Sequence, residues 1–491
     1  MSKDLVVSVT PRETRAALLE DGIVCELFVE REAQRGLVGN IYKGTVSRVL
    51  PGMEAAFIDI GLERTAFLHA SDAGAELEGD LGGSEEAAPG RTRPRIEEML
   101  REGQEVLVQV QKEAFGTKGA RVSAHLSLPG RYLVHLPTVE NVGVSRRIAD
   151  EDERQRLREL LKELRQAQGG GFVARTAAQG RGAEELERDA RHLVGLWQRI
   201  RDEGARTKPP ALIHREHGLV PRLIRDLLGQ DIASIQLDDR REYDAALAMV
   251  QDLQPELATR VQLVSGDLVE QHGLNAELDR ALRPRVSLKS GGSIVINQTE
   301  ALVAIDVNTG RYTGEKDLEQ TVLSTNLEAV REVVRQIRLR DLGGIIVIDF
   351  IDMEERRSRR KVMGALQAEL RRDRTPSKLL SVNEFGLVIL TRKRARHSLE
   401  RLLCQPCSYC SGSGWIKNVG TVCAEIYHEV RKLAADLRGR KLLLRVHPEV
   451  ARALRSDELR LLDELAELVG HDLAVQEEPA LHQAQFEVVP R

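Results

Sequence analysis

Two short apolar runs that each close on an aspartate constrain this chain most: Ala301-Leu302-Val303-Ala304-Ile305-Asp306 and Gly344-Ile345-Ile346-Val347-Ile348-Asp349. Apolar, β-rich runs bounded by turn residues read as fully buried strands. The segment between, from Asp317 to about Arg340, carries Leu318, Val322, Leu327, Val330, Val333, Val334 and Ile337 at helix-face spacing. Strand, helix and strand in that order normally close right-handed with the strands parallel. Both aspartates then fall at the carboxyl edge of one sheet, where open α/β sheets place ligands. Two convergent carboxylates suit a hard cation such as magnesium, which takes one or two carboxylates plus phosphate oxygens. On spacing alone, aspartates that only start loops or cap helices explain the pattern equally well.

At 491 residues the chain exceeds the ~250–300 residues at which single cores stop growing, so several domains are expected. No apolar run reaches the ~18 residues of a membrane span. The opening Met1-Ser2-Lys3-Asp4 leads into an alternating strand pattern rather than a secretory leader. A cytoplasmic protein is expected. A net charge of −4 argues against a purely backbone-driven nucleic-acid binder, because such domains are usually basic overall. Basic residues still cluster in Arg356-Arg357-Ser358-Arg359-Arg360-Lys361 and Thr391-Arg392-Lys393-Arg394-Ala395-Arg396, runs that equally describe solvated faces.

Organisation changes along the chain. Leu5–Val9, Ala16–Leu19 and Ile23–Val29 read as strands, with Asp21-Gly22 as a hairpin turn. From Gly36 to about Ser127 short, Gly-punctuated strands suggest a small barrel, interrupted at 73–100 by a Gly/Glu/Ala/Pro-rich stretch expected as a mobile insertion. Residues 151–166 and about 183–206 are helical, and Thr207-Lys208-Pro209-Pro210 marks a boundary.

Cys407-Ser408-Tyr409-Cys410 precedes Ser411-Gly412-Ser413-Gly414, with Cys404 just upstream. C-x-x-C beside glycines reads as a zinc half-site or a redox pair. A structural zinc needs four tetrahedral ligands, yet Cys25 and Cys423 are isolated and read as buried apolar residues. A second copy of the chain across a twofold axis would complete the tetrahedron. A redox or unligated pair is the alternative.

The block Gly39-Asn40-Ile41-Tyr42-Lys43-Gly44-Thr45-Val46, continuing through Ala55-Ala56-Phe57-Ile58-Asp59-Ile60-Gly61 and Ala66-Phe67-Leu68-His69-Ala70-Ser71-Asp72, resembles the S1-type RNA-binding barrel. With Ala304-Ile305-Asp306-Val307-Asn308-Thr309-Gly310, Ile348-Asp349-Phe350 and the Cys407/Cys410 pair, the chain resembles the ribonuclease E/G family over essentially its whole length. The opening Val9-Thr10-Pro11-Arg12-Glu13-Thr14-Arg15 and the lack of a long disordered tail resemble its ribonuclease G branch.

That resemblance implies an endoribonuclease that cuts single-stranded RNA and leaves a 5′-phosphate, acting in rRNA 5′-end maturation and mRNA turnover. It implies that Asp306 and Asp349 hold Mg2+ and that Asn308 orients Asp306 or the water shell of the metal. Phe57 and Phe67 would stack bases, although core packing is their ordinary reading, and Lys112 would contact phosphate. Gly171-Phe172-Val173-Ala174-Arg175-Thr176-Ala177 resembles a 5′-monophosphate sensor, in which Arg175 and Thr176 receive the terminal phosphate and Arg392 adds to the pocket. Cys407 and Cys410 would hold a structural Zn2+ shared between chains, with Cys404 as a nearby third thiol.

The implied architecture is multidomain α/β. An RNase H-like subdomain comprises 1–35 and 212–281, with an S1-type OB barrel at 36–127 and a 5′-sensor region at 128–211 inserted in it. A DNase I-like catalytic subdomain covers 282–401, a zinc link 402–414 and a small C-terminal oligomerisation domain 415–491. Expected partners are single-stranded RNA (rRNA precursors and mRNA) and a second copy in a zinc-linked homodimer, which could pair further into a homotetramer. The competing reading is a non-catalytic RNA-binding protein or ribosome-assembly factor.

Overall fold

The computed structural model describes residues 2–31, 36–73, 95–114, 119–229, 231–310, 318–380, 386–394, 396–437, 439–456, 459–471 and 473–490. The chain divides into two compact units, one through Arg396 and one from His397.

The first unit opens on a meander of β1 (Lys3–Val9), β2 (Glu13–Glu20) and β3 (Ile23–Arg31). Asp21 and Gly22 connect the last two at φ 49° and 79°, the left-handed pair that a tight hairpin turn requires. A barrel follows, from β4 (Ile41–Leu50), β5 (Ala55–Asp59), β6 (Ala66–His69), β7 (Glu105–Lys112) and β8 (Arg121–Ser123). Its strand order is β4-β5-β6-β8-β7, and β4 pairs with β7 to close it. Gly44 lets β4 lie close against the end of β5, because a Cβ there would lie 2.7 Å from the Asp59 carbonyl oxygen. Residues 74–94 of the expected 73–100 insertion lie outside the described residues. Its end does not behave as an insertion: Ile96–Met99 is a short helix, and Ile96 and Leu100 pack into the barrel core with Val46, Ile58 and Leu68. These apolar positions convert the last turn of the stretch into part of the core.

A four-stranded sheet comes next, from β9 (Leu128–Pro129), β10 (Leu133–Leu136), β11 (Val142–Val144) and β12 (Gly171–Ala174). The helices Glu151–Gln168 and Ala183–Arg206 cover it through Leu157, Leu161 and Leu193, around the fully buried Phe172. β13 (Ala211–His214) returns to pair with β4. β14 (Ile232–Leu237) and β15 (Val261–Leu263) then extend the opening meander, pairing parallel in the order β15-β14-β1-β2-β3.

The last sheet of this unit contains β16 (Arg285–Ser287), β17 (Ser293–Gln298), β18 (Leu302–Asn308), β19 (Gly344–Asp349), β20 (Ser377–Leu379) and β21 (Val388–Arg392), in the order β16-β17-β18-β19-β21-β20. β18 and β19 run parallel, joined by the helix Leu318–Leu339. Val303, Ile305, Val307, Ile346 and Ile348 meet Val330, Val333 and Ile337 of that helix, and Val362 and Leu366 of the helix Arg356–Leu370, in one core. The two strands are not buried on both faces, as the run of apolar residues suggested. Ala304, Asp306 and Asn308 are exposed, and Ile345 is 47% exposed. Strand side chains alternate between faces, and both helices belong to the core of one face only.

The second unit contains the helices Leu399–Leu403, Val419–Leu437, Pro448–Arg455 and Leu459–Val469 and a sheet of β22 (Leu442–Val446), β23 (Leu473–Glu477) and β24 (Phe486–Pro490), ordered β23-β22-β24. Val422, Ile426, Leu444, Leu454 and Leu465 form its core. No helix among the described residues is long and apolar enough to cross a membrane.

Candidate active site and nucleic-acid interface

The parallel register makes Asp306 and Asp349 direct neighbours on β18 and β19, about 4.8 Å apart at the backbone. Both side chains lie on the sheet face that the helices leave open. Asn308 Nδ2 donates to Asp306 Oδ2 at 2.7 Å, which fixes one oxygen of that carboxylate. The Asp349 carboxyl is pushed above its ordinary range by partial burial, then by the charges of Asp306 and Asp352. Asp352 was missed by sequence reasoning; its signal was the Asp-Phe-Ile-Asp spacing directly after β19. The loop that carries it is clamped. Asn326, fully buried on the Leu318–Leu339 helix, donates to the Ile351 carbonyl at 2.8 Å and accepts from the Ile351 N–H at 3.1 Å.

Asp349 beside the charges of Asp306 and Asp352, with no cationic side chain paired to any of the three among the described residues, fits a divalent cation. No three His, Cys, Asp or Glu side chains among the described residues are close enough to cage a metal unaided. A cation here would therefore complete its shell with water or substrate oxygens, as Mg2+ ordinarily does.

On the barrel, Phe57 and Phe67 face each other across β5 and β6 with ring centroids 6.1 Å apart at 70°. Both are half-buried, whereas their flanking residues Ala56, Ile58, Ala66 and Leu68 are fully buried. The two rings therefore belong to the outer face rather than to the core. Lys112 is exposed at the end of β7 and lies beside Arg121 of β8.

Arg175 and Thr176 follow β12. Arg175 Nη1 donates to the Gly130 carbonyl at 2.6 Å and Nη2 to Asp226 Oδ1 at 2.7 Å, while Thr176 Oγ1 lies 3.2 Å from Ser145 Oγ. Nearby, buried Arg131 Nε and Tyr132 Oη have no hydrogen-bond partner among the described residues. Arg392 does not contribute to such a pocket. It is buried on β21, and its guanidinium is taken up by Asp373, Asp341, the Leu342 carbonyl and Thr375. With its donors engaged, it has none to offer a terminal phosphate. Its neighbours Arg394 and Arg396 are also held, at the Gly343 carbonyl and at Asp341, so this basic run is not simply a solvated face. Arg356, Arg357, Arg359, Arg360 and Lys361 are exposed on their helix.

In the second unit Cys404 and Cys407 are exposed and Cys410 is half-exposed. Gly412 N–H donates to the Cys407 carbonyl at 3.2 Å, and Gly414 N–H to Cys410 Sγ at 3.3 Å. Ser411, Gly412 and Gly414 take positive φ to make this turn. The Gly414 N–H holds the Cys410 thiol below its ordinary range, helped by the Gly412 amide and the Cys407 thiol. Amides aimed at sulfur favour the thiolate, the form that binds zinc. Cys25 and Cys423 are buried, and burial pushes the Cys25 thiol up to about 11.

The model of the "Ribonuclease E/G family" matches residues 127–395, and that of the "S1 RNA binding domain" matches 37–125. The chain is 43% identical to ribonuclease G of Escherichia coli K12 over all of both chains. It is 40% identical to ribonuclease G of Haemophilus influenzae over 99% of each. Ribonuclease E of Haemophilus influenzae is 35% identical over 99% of this chain and 52% of that protein. The chain belongs to the ribonuclease E/G family.

Proposed function

We propose that this endoribonuclease is magnesium-dependent and cuts single-stranded RNA at the open face of the β18/β19 sheet, leaving 5′-phosphate products. The pairing of Asp306 with Asp349 across two parallel strands carries this reading. The two carboxylates would hold Mg2+, with Asp352 close by and Asn308 orienting Asp306. With Mg2+ held there, these residues would place a Lewis acid against a phosphoryl oxygen and lower the pKa of a water at the site. Water attacking phosphorus in line would form the new P–O bond as the bond to the 3′-oxygen breaks, the water giving up a proton to solvent and the 3′-oxygen taking one to leave as a hydroxyl, so no side-chain nucleophile is needed. Phe57, Phe67 and Lys112 would hold the strand by base stacking and phosphate contact.

Arg175 and Thr176 would take a 5′-monophosphate. Arg175 keeps Nε and a hydrogen on each terminal nitrogen free of the bonds to Gly130 and Asp226, so charge-assisted bonds to phosphate remain available. The sheets would correspond to an RNase H-like subdomain (β1–β3, β14 and β15) and a DNase I-like one (β16–β21). Cys407 and Cys410 would share Zn2+ with a second copy. The cellular substrates would be rRNA precursors, cut in maturing 5′ ends, and decaying mRNA, as for a ribonuclease G-type enzyme.

The test is cleavage of a 5′-monophosphorylated single-stranded oligonucleotide with and without Mg2+. Asp306→Ala and Asp349→Ala should each abolish cleavage while leaving binding within about threefold. Wild-type cleavage rates in either variant would remove these aspartates from the mechanism.

A further inference from the structure

A row of paired residues crosses all five barrel strands, with half-buried Phe57, Phe67 and Arg121 at its centre and exposed Arg48 and Lys112 at its ends, each beside a register shift. Arg48 pairs with Phe57, Phe57 with Phe67, Phe67 with Arg121, and Arg121 with Lys112. Val122, next to Arg121, is fully buried in the barrel core, so alternation along β8 turns Arg121 to the same outer face as the two rings. At ~4.8 Å between strands the row spans about 19 Å.

Arg121 is held in place. Asp72 Oδ2 accepts from its Nε at 3.1 Å and its Nη2 at 2.7 Å. Asp72 is fixed in turn by its carbonyl, which accepts from the Ala124 N–H at 2.7 Å and the Ser123 hydroxyl at 3.3 Å. Arg121 Nη1 has no partner among the described residues, and the side chain is 42% exposed. One edge of the guanidinium is thus tied and the other is free, beside an aromatic ring. That geometry suits a phosphate oxygen at the free edge and a base against the planar face.

We propose that Arg121 is an RNA contact on the barrel face, aimed by Asp72, and that it joins the Phe57–Phe67 pair to Lys112 in one continuous track. This rests on the barrel face being the RNA-binding surface. Asp72 is a positioning residue. Its negative charge works against RNA, so its presence is useful only if orientation of the guanidinium outweighs the charge it cancels.

The test uses the full-length protein and a labelled 5′-monophosphorylated single-stranded oligonucleotide. Binding is measured over a salt series without Mg2+, and cleavage with it. Arg121→Ala should raise Kd and KM about five- to tenfold, with kcat within about twofold. The slope of log K against log salt should flatten by ~0.7, the contribution of one phosphate on a single strand. Arg121→Lys should keep the slope but regain only part of the affinity. Asp72→Asn should weaken binding about threefold although it removes a negative charge; tighter binding would overturn the positioning role. Thermal melting of each variant within a few degrees of wild type shows that the barrel is intact. If Phe57→Ala and Phe67→Ala weaken binding but Arg121→Ala does not, the Arg121 contact is refuted alone. If none of the three weakens binding, the barrel-face surface fails and the contact with it.

Discussion

Asp306 and Asp349 stand a whole helix apart in sequence and side by side in the sheet, because parallel strands place equivalent ends together. Their alignment was legible from two similar runs ending in the same residue. The hydrogen bond from Asn308 was not legible from pattern alone, since residues two apart on a strand share a face whatever their chemistry; only the family resemblance pointed to Asn308 as orienting Asp306. Groups that orient ligating carboxylates typically affect metal affinity or activity 10–100-fold. Asn308→Ala should accordingly lower kcat/KM by about 10–100-fold with 5′-end preference unchanged, measured on paired oligonucleotides with 5′-monophosphate and 5′-hydroxyl ends. Arg392 shows the opposite limit of sequence reasoning. The family resemblance placed Arg392 at a phosphate pocket, but its partners Asp341 and Asp373 arrive from distant segments that no local pattern connects to it. Truncating one member of a buried ion pair typically costs about 3–5 kcal/mol. Arg392→Ala should therefore destabilise the first unit by about that amount, read by denaturant unfolding, and any activity lost should fall equally on both oligonucleotide ends.

At the scale of elements, alternation and turn chemistry carried most of the information. The Asp21-Gly22 hairpin, the short barrel strands and the helix between the two aspartates could be placed from pattern alone. What pattern could not show was which face of β18 and β19 is covered, since Ala304, Val347 and Ile345 are apolar on a face the helices leave open. Nor could it show that the helix Glu151–Gln168 is tied at its first turn to the segment after Arg175 and Thr176. There Glu153 accepts two bonds from Arg156 at 2.7 Å and one from the Gly180 N–H at 2.8 Å. The Arg156 guanidinium, against an opposing burial effect and with a lesser contribution from the Gly180 amide, holds the Glu153 carboxyl down at about 2. A folded pKa below the unfolded value of roughly 4.3 stabilises above that value. The contribution is lost as pH falls from there toward about 2. Glu153→Gln should lower the melting temperature at pH 7, and the gap from wild type should close steadily between about pH 4.5 and pH 2.5. A gap that stays constant across that range would separate the carboxylate from the stability of this corner.

At the scale of the whole molecule, the single strong local motif lies in the second unit, where Cys407 and Cys410 occupy a glycine-shaped turn beside exposed Cys404. The pair was legible because C-x-x-C followed by glycines has few uses. The amide donated to Cys410 was not, because it depends on the left-handed conformations of Ser411 and Gly414. Two thiolates would leave a tetrahedral zinc two ligands short, and the proposed twofold assembly would supply them by repeating the same pair. Purified protein should then contain one zinc for every two chains and sediment as a dimer or a larger even assembly. Cys407→Ser should lose the zinc and shift the assembly toward monomer, and a strong chelator should do the same to the wild type. If the first unit folds independently of this link, far-UV circular dichroism should change little, while cleavage falls to the extent that it depends on assembly. One zinc per chain, held after dilution to monomer, would instead make Cys404 a third ligand and the site internal to each copy. Comparing the metal content of Cys404→Ser and Cys407→Ser decides between the two: a shared site tolerates the first and loses its metal in the second.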